Sequence, residues 1–265
     1  MWLATLIAAT IALAAWRARS LSRSGAVAAL AVGTTALSAS WGWGLYLVIW
    51  FASASALSRL GRARKVERMA GVVEKGDRRD VWQVVANGGV FLIGLLIVIG
   101  WPGLAPIVAP GAAAALAAAG ADTWSTEIGT LVGAPPWSLR LRERVPPGTS
   151  GAVSLPGSIA GVLGAMLLAL VAVACLVIPG SQLLPVAVGG VVGAWTDTLV
   201  GAWLQSRRWC PRCGQDTEQR VHQCGTPTER RGGFGLLSND GVNLLCTIVG
   251  AGSALCLSLL FASRA

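Results

Sequence analysis

The stretch Trp82-Gln-Val-Val-Ala-Asn-Gly-Gly-Val-Phe-Leu-Ile-Gly-Leu-Leu-Ile-Val-Ile-Gly100 runs from its first to its last residue without a charge. At about 1.5 Å per residue such a helix is close to the hydrocarbon thickness of a bilayer, and its apolar residues go all the way round rather than along one stripe. Similar runs recur along the chain. They predict spans at roughly 2 to 16, 25 to 39, 41 to 57, 82 to 100, 104 to 121, 152 to 178, 183 to 205 and 241 to 262. The first two are short enough to be one re-entrant hairpin, so the reading is an all-α, polytopic transmembrane bundle of six to eight spans. The whole chain, 1 to 265, is one transmembrane domain, with 206 to 234 as a cytoplasmic insert. The composition agrees: 54% of the 265 residues are hydrophobic and 12% are charged, about half the charged share of a soluble domain.

The basic residues orient the bundle. They cluster at Arg17 to Arg23, Arg59 to Arg79, Arg140 to Arg144 and Arg207 to Arg231, leaving out only Arg264 of the 21. With eight spans all four clusters fall on one side, which the positive-inside rule makes cytoplasmic. The net charge of +9 then belongs to a surface that meets anionic headgroups or phosphorylated substrates. No nucleic-acid-binding motif accompanies that charge. The first apolar run lacks a basic n-region and a small-residue cleavage site, and is read as a retained span.

Four acids are out of place in such a chain. Asp122 and Glu127 close the fifth span in Gly120-Ala-Asp-Thr-Trp-Ser-Thr-Glu-Ile-Gly129, Asp197 lies within the seventh, and Asp240 opens the eighth. A carboxylate inside a span faces a partner, a wet cavity or an ion. Helical spacing sets Asp122, Ser125 and Thr126 on one face, with Glu127 elsewhere unless the helix frays. It groups Asn239 and Asp240 with Asn243, and Asp80 with Gln83 and Asn87. Carboxylates, amides and hydroxyls together suit a hard cation such as Mg²⁺. A short echo, Ala121-Asp-Thr123 against Thr196-Asp-Thr198, suggests a parallel repeat that supplies two metal-binding acids.

Val145-Pro-Pro-Gly-Thr-Ser-Gly151 follows Arg140, Arg142 and Arg144. Gly148, Thr149, Ser150 and Gly151 can form an anion-binding nest before a helix, or an ordinary turn with a helix cap. Lys65, Arg78 and Arg79 can clamp phosphates, or serve topology and lipid contact. Among six cysteines, Cys210-Pro-Arg-Cys213 is followed by Cys224 and by the single histidine, His222. That set predicts a closed, structural Zn²⁺ site in a zinc-knuckle loop.

The stretches Gln83 to Gly89, Ala121 to Gly129, Val145 to Ser154, Gly193 to Gln205 and Asn239 to Asn243 resemble an integral membrane family. That family includes the plant phytyl-phosphate kinase of vitamin E synthesis and many uncharacterised prokaryotic proteins. The same pattern is distantly similar to CTP-dependent polyprenol kinases and membrane cytidylyltransferases. The resemblance implies a prenyl-monophosphate kinase of a prokaryotic plasma membrane, with its site facing the cytoplasm. Such an enzyme transfers a phosphoryl group from a nucleoside triphosphate, CTP above ATP, to a phytyl- or geranylgeranyl-type phosphate. In that reading Asp122, Glu127, Asp197 and Asp240 are catalytic, and they hold Mg²⁺ together with Asn239 and Asn243. Lys65, Arg78, Arg79, Gln83, Asn87, Ser125, Thr126, Arg142, Arg144, Gly148 to Gly151 and Gln205 bind phosphate or nucleotide. The other reading of the same acids is a cation-coupled transporter or flippase of lipid-linked phosphate, whose carboxylates belong near the membrane midplane.

Overall fold

The structure is a computed structural model that describes residues 2–69 and 78–262. Residues 70–77 of the basic loop, including Lys75, and Arg264 lie outside the described residues. Nine α-helices are present among the described residues: α1 (Trp2–Arg17), α2 (Arg23–Ala39), α3 (Trp41–Arg59), α4 (Arg62–Arg68), α5 (Val81–Gly100), α6 (Ala105–Val132), α7 (Leu155–Ala174), α8 (Leu183–Trp203) and α9 (Asn239–Ala262). Five segments are long and apolar enough to cross a membrane: Val81–Gly100, Pro102–Val132, Leu155–Ala174, Gly180–Trp203 and Asn239–Phe261. The pair α3 and α4, bent by 69°, makes a sixth if the two are one span. The count is therefore five or six, against an expected six to eight. The difference lies in α1 and α2, helices of 16 and 17 residues, at the lower limit of the roughly 17–25 a span needs. They pack on each other as a hairpin beside α5.

α6 sits at the centre, touching α3, α5, α7, α8 and α9. Its residues from Ala109 to Ala121 are all buried. With no hydrophobic drive between helices in lipid, packing depends on how closely backbones approach, and small side chains permit it. Gly193 of α8 shows the limit: a Cβ there would stand 2.5 Å from the Ala118 Cβ and 2.6 Å from the Cys246 carbonyl of α9. Larger side chains close the α3 side, where Trp43 stacks edge-on against Tyr46 and Phe91. The Tyr46 hydroxyl there donates to the Ala113 carbonyl at 2.8 Å. Trp41 to Gly44 form the first turn of α3, capped by the Ser40 hydroxyl.

The helix ends that carry the basic clusters gather at one end of the bundle. The Ser22 amide donates to the Arg79 carbonyl, Arg59 donates to Ser20, and Lys65 pairs with Glu127. Between α6 and α7, β1 (Trp137–Ser138) pairs antiparallel with β2 (Ala152–Val153). Between α8 and α9 the insert folds into an antiparallel sheet of order β4-β3-β5, made of β3 (Arg207–Cys210), β4 (Gln215–Thr217) and β5 (Glu229–Gly232). Two backbone hydrogen bonds, Ser206 to Leu237 and Phe234 to Leu204, tie its neck. These small sheets lie in the loops; the body is a helical bundle.

Candidate functional site

α6 and α8 run the same way toward the polar end, in contact through Ala117 with Gly190 and Ala118 with Gly193. One helical turn further along each helix come Asp122 and Asp197. The close approach that the glycines permit sets the two side chains on one cleft. The two short echoes in the sequence thus stand side by side. α9 descends antiparallel beside α8, so one turn from the contact between Gly193 and Cys246 Asn243 comes level with Asp197.

Two facing carboxylates in a low-dielectric bundle repel each other unless a cation stands between them or they share a proton. Asp197 Oδ1 is buried and has no hydrogen-bond partner among the described residues. The donor set around it is oxygen throughout: Asp122, Asp197, Asp240, Asn239 and Asn243 all line one polar cleft of about 430 Å³. That chemistry fits a hard divalent cation and not a soft one.

The same cleft is lined by Glu127, Arg79, Gln83, Asn87, Ser125, Thr126, Gly148, Thr149, Ser150, Gly151 and Gln205. α6 does not stop where its apolar run does but continues to Val132, because Arg68 caps its last turn. The Arg68 guanidinium donates to the Thr130 carbonyl at 2.8 Å and the Leu131 carbonyl at 2.5 Å, a cation at a helix C-terminus. The extension carries Glu127 into the cleft on an intact helix, where Ser58 donates to it at 2.5 Å.

Four expected phosphate ligands sit elsewhere. Lys65 is buried outside the cleft lining, donating to the Leu57 and Ser58 carbonyls at 2.7 and 3.0 Å and pairing with Glu127. Its charge holds Glu127 and does not face the cavity. Arg78 is exposed, as are Arg142 and Arg144 on the loop between β1 and β2, and none of the three lines the cleft. The Arg144 guanidinium donates instead to the Pro135 carbonyl at 2.6 Å. Asp80 and Gln83 form a capping box at the start of α5, which accounts for one side of Gln83.

The cations in the lining are Arg79, Arg208 and Arg220. Arg79 lies over the Phe51 ring at 5.4 Å and donates to Ser55 at 3.2 Å. Burial pushes its guanidinium below the ordinary value, with Glu127 opposing the shift. The insert supplies the other two arginines and also Glu218, whose Oε1 accepts from Ser150 at 2.5 Å and Gln205 at 2.7 Å. Helical spacing cannot reveal these three residues, because the fold of the insert brings them over the cleft. Their only signal is their place in a charged loop directly following a span that carries an acid.

The loop 145–151 is shaped for close approach. Gly148 and Gly151 have φ of +87° and +72°, and a Cβ on Gly151 would lie 2.2 Å from the Ala202 Cα of α8. The amides of Gly148, Ser150 and Gly151 find no acceptor among the described residues. They face a cavity whose wall also carries arginine, the ingredients of an anion nest.

In the insert, the turn after β3 and a second turn at His222 to Gly225 bring Cys210, Cys213, His222 and Cys224 together, all four ligand atoms within 4.8 Å of one another. Cys210 Sγ lies 3.6 Å from Cys224 Sγ, and His222 Nδ1 lies 3.2 Å from Cys224 Sγ. These are edge lengths of a tetrahedral site with bonds of about 2.0–2.3 Å. His222 Nε2 is engaged by the Gln215 side chain at 2.7 Å, which leaves Nδ1 for the metal. Hydrogen bonds with Thr226 and His222 bring the Cys224 thiol down to about 5, while hydrogen bonding to Cys224 pushes Cys213 up to about 11; a metal at this site would require thiolates. Cys175, Cys246 and Cys256 belong to the helical part of the chain and stand apart from this group.

The family model described as integral membrane protein DUF92 matches residues 6–251. The chain belongs to that family. Protein PGR of Arabidopsis thaliana is 26% identical over 93% of this chain and 92% of its own length. An uncharacterized membrane protein of Methanocaldococcus jannaschii is 28% identical over 94% and 91%. Another, from Synechocystis, is 29% identical over 64% and 66%. No solved structure matches. Plant and prokaryotic relatives thus stand together, as the motif resemblance implies, and the DUF92 chain is an integral membrane protein.

Proposed function

We propose that this DUF92 protein is a prenyl-monophosphate kinase whose cleft opens to the cytoplasm. The observation that carries the reading is the Asp122 and Asp197 pair, which two core helices set in one cavity with the glycine loop 148–151 and three arginines. Asp122, Asp197 and Asp240, with Asn239 and Asn243, would hold Mg²⁺ in this cleft. The ion supplies charge neutralisation between donor phosphates and orients them for in-line attack. The loop 148–151 binds donor phosphate through its amides, and Arg208 and Arg220 offset the charge that builds on the leaving group. Arg79 binds the lipid phosphate. An oxygen of that phosphate attacks the γ-phosphorus, the bond from γ-phosphorus to the β–γ bridging oxygen breaks, and nucleoside diphosphate departs. The acceptor is already ionised at neutral pH, so no side chain has to remove a proton. The motif resemblance favours CTP as donor, and Cys210, Cys213, His222 and Cys224 are assigned a structural Zn²⁺.

The transporter reading is disfavoured by Asp240, in the first turn of α9, while Asp197, six residues from the Trp203 end of a 21-residue helix or about 9 Å along its axis, is compatible with either. A transport site belongs near the midplane. The test is turnover of purified protein in detergent with Mg²⁺, each of CTP and ATP, and farnesyl, geranylgeranyl and phytyl monophosphates, read by mass spectrometry of the lipid. Diphosphate formed from at least one pair supports the kinase. A folded sample that forms none with any pair overturns it.

A further inference from the structure

A second cavity lies beside the first. It is lined by small and apolar residues of α1, α2, α3 and α5, among them Ala8, Ile11, Val32, Val48 and Val84. Apart from the two residues at its head, its walls are hydrocarbon, indole and glycine. The head residues are Arg79 and Gln83, which also line the polar cleft. The two cavities thus share a wall, with a guanidinium at the junction of an oxygen-rich chamber and an apolar groove.

We propose that this groove binds the aliphatic tail of the lipid monophosphate, leaving its phosphate beside Arg79 in the cleft. The assignment rests on the kinase reading only for the name of the headgroup; the junction itself selects an amphiphile with an anionic head. Arg79 is held for such a role, since the Ser20 and Ser22 backbone groups pin its main chain and Phe51 and Ser55 hold its side chain. A cation partly stripped of water gains more from a phosphate than an exposed one does.

The groove also gives α1 and α2 a purpose. At 16 and 17 residues they are the shortest of the long apolar helices, and they pack where they wall a groove with Ile11 and Val48 of its lining exposed. From Ala29 to Leu37 the lining runs about 12 Å, less than half a hydrocarbon thickness of about 30 Å. The groove therefore grips the part of the tail next to the phosphate and leaves the rest in the bilayer. Gly88 is the position where an added side chain has room to enter the groove. A Cβ there would meet only Val32 Cγ1, at 3.9 Å.

The test is photocrosslinking of the full chain in nanodiscs with a prenyl monophosphate carrying a diazirine on its second isoprene unit, mapped by peptide mass spectrometry. Turnover is followed in the same preparation. The expected result is adducts on α1, α2 and α3 residues of the groove, reduced about tenfold by excess geranylgeranyl monophosphate and by Gly88→Leu. Adducts elsewhere, or groove adducts lost equally to phosphatidylcholine, overturn the proposal, the latter by showing a bilayer acyl chain as occupant. The wild-type map stands if Gly88→Leu does not fold. Turnover with adducts outside the groove removes the groove and keeps the kinase. Competed groove adducts without turnover keep the groove and remove the kinase.

Discussion

At the scale of single residues, the site depends on a few positions with no slack. Gly151 combines a left-handed backbone with a Cβ direction that runs into Ala202. We expect Gly151→Ala to lower the melting temperature by about 4–8 °C and to lower turnover, because the loop can relieve the clash only by leaving α8. Differential scanning fluorimetry in detergent checks the first effect. Arg79 makes a different prediction. Arg79→Lys keeps the charge and loses the planar fork, so the KM for the lipid phosphate should rise about tenfold while the KM for the nucleotide stays within a factor of about two. Sequence alone reads Asp122 and Asp197 as out of place because a charge in oil needs a reason, and their echo hints at a pair. It cannot sort the arginines. Arg79 and Arg142 occupy similar basic runs beside helix ends, and only tertiary structure turns one inward and leaves the other in water.

At the scale of elements, the insert between α8 and α9 acts as the roof of the cleft. Its sheet positions Glu218 against Ser150 and Gln205, and places Arg208 and Arg220 in the lining. The Cys and His cluster fixes two turns of that sheet. One zinc per chain is therefore expected by atomic emission, and Cys210→Ser should lose the metal. Removing the zinc with a strong chelator, then clearing the chelator and restoring Mg²⁺, should cut turnover at least about tenfold through loss of the roof, while the helical signal in far-UV circular dichroism stays nearly unchanged. Full turnover in a zinc-free sample assayed with Mg²⁺ would contradict this. The zinc-ligand spacing is visible in the sequence because Cys-x-x-Cys is local chemistry. The contact of the insert with the phosphate loop is not, since Glu218 and Ser150 are joined only by the fold. The end of α6 is likewise hidden: polar residues from Asp122 onward look like a loop until Arg68, from a distant helix, supplies the cap.

At the scale of the whole molecule, one end collects the basic loops, the cleft and the insert, while Ser40 and the segment from Cys175 to Gln182 lie at the other. This polarity was legible, since hydropathy and the distribution of Lys and Arg follow directly from the cost of charge in hydrocarbon. The number of spans was less so. α1 and α2 are apolar enough to suggest membrane helices, and only their length and hairpin packing show them as a flank of the bundle. In sealed cells, a cysteine at Gly180, on a background lacking Cys175 and Cys213, should react with a membrane-impermeant maleimide from outside. One at Arg220 should not react until the membrane is opened. The reverse pattern would place the cleft on the outer face and remove nucleotides as its ligands.

The central claim is that Asp122 and Asp197 form a divalent-cation site for phosphoryl transfer. The most direct measurement is initial rate against Mg²⁺ concentration for the wild type and for Asp122→Asn and Asp197→Asn, in a lipid-phosphate assay with a matched fold check. The account predicts saturable Mg²⁺ dependence in the wild type and a loss of about a hundredfold or more in each variant. Turnover that is indifferent to Mg²⁺, or retained by both variants, would contradict it.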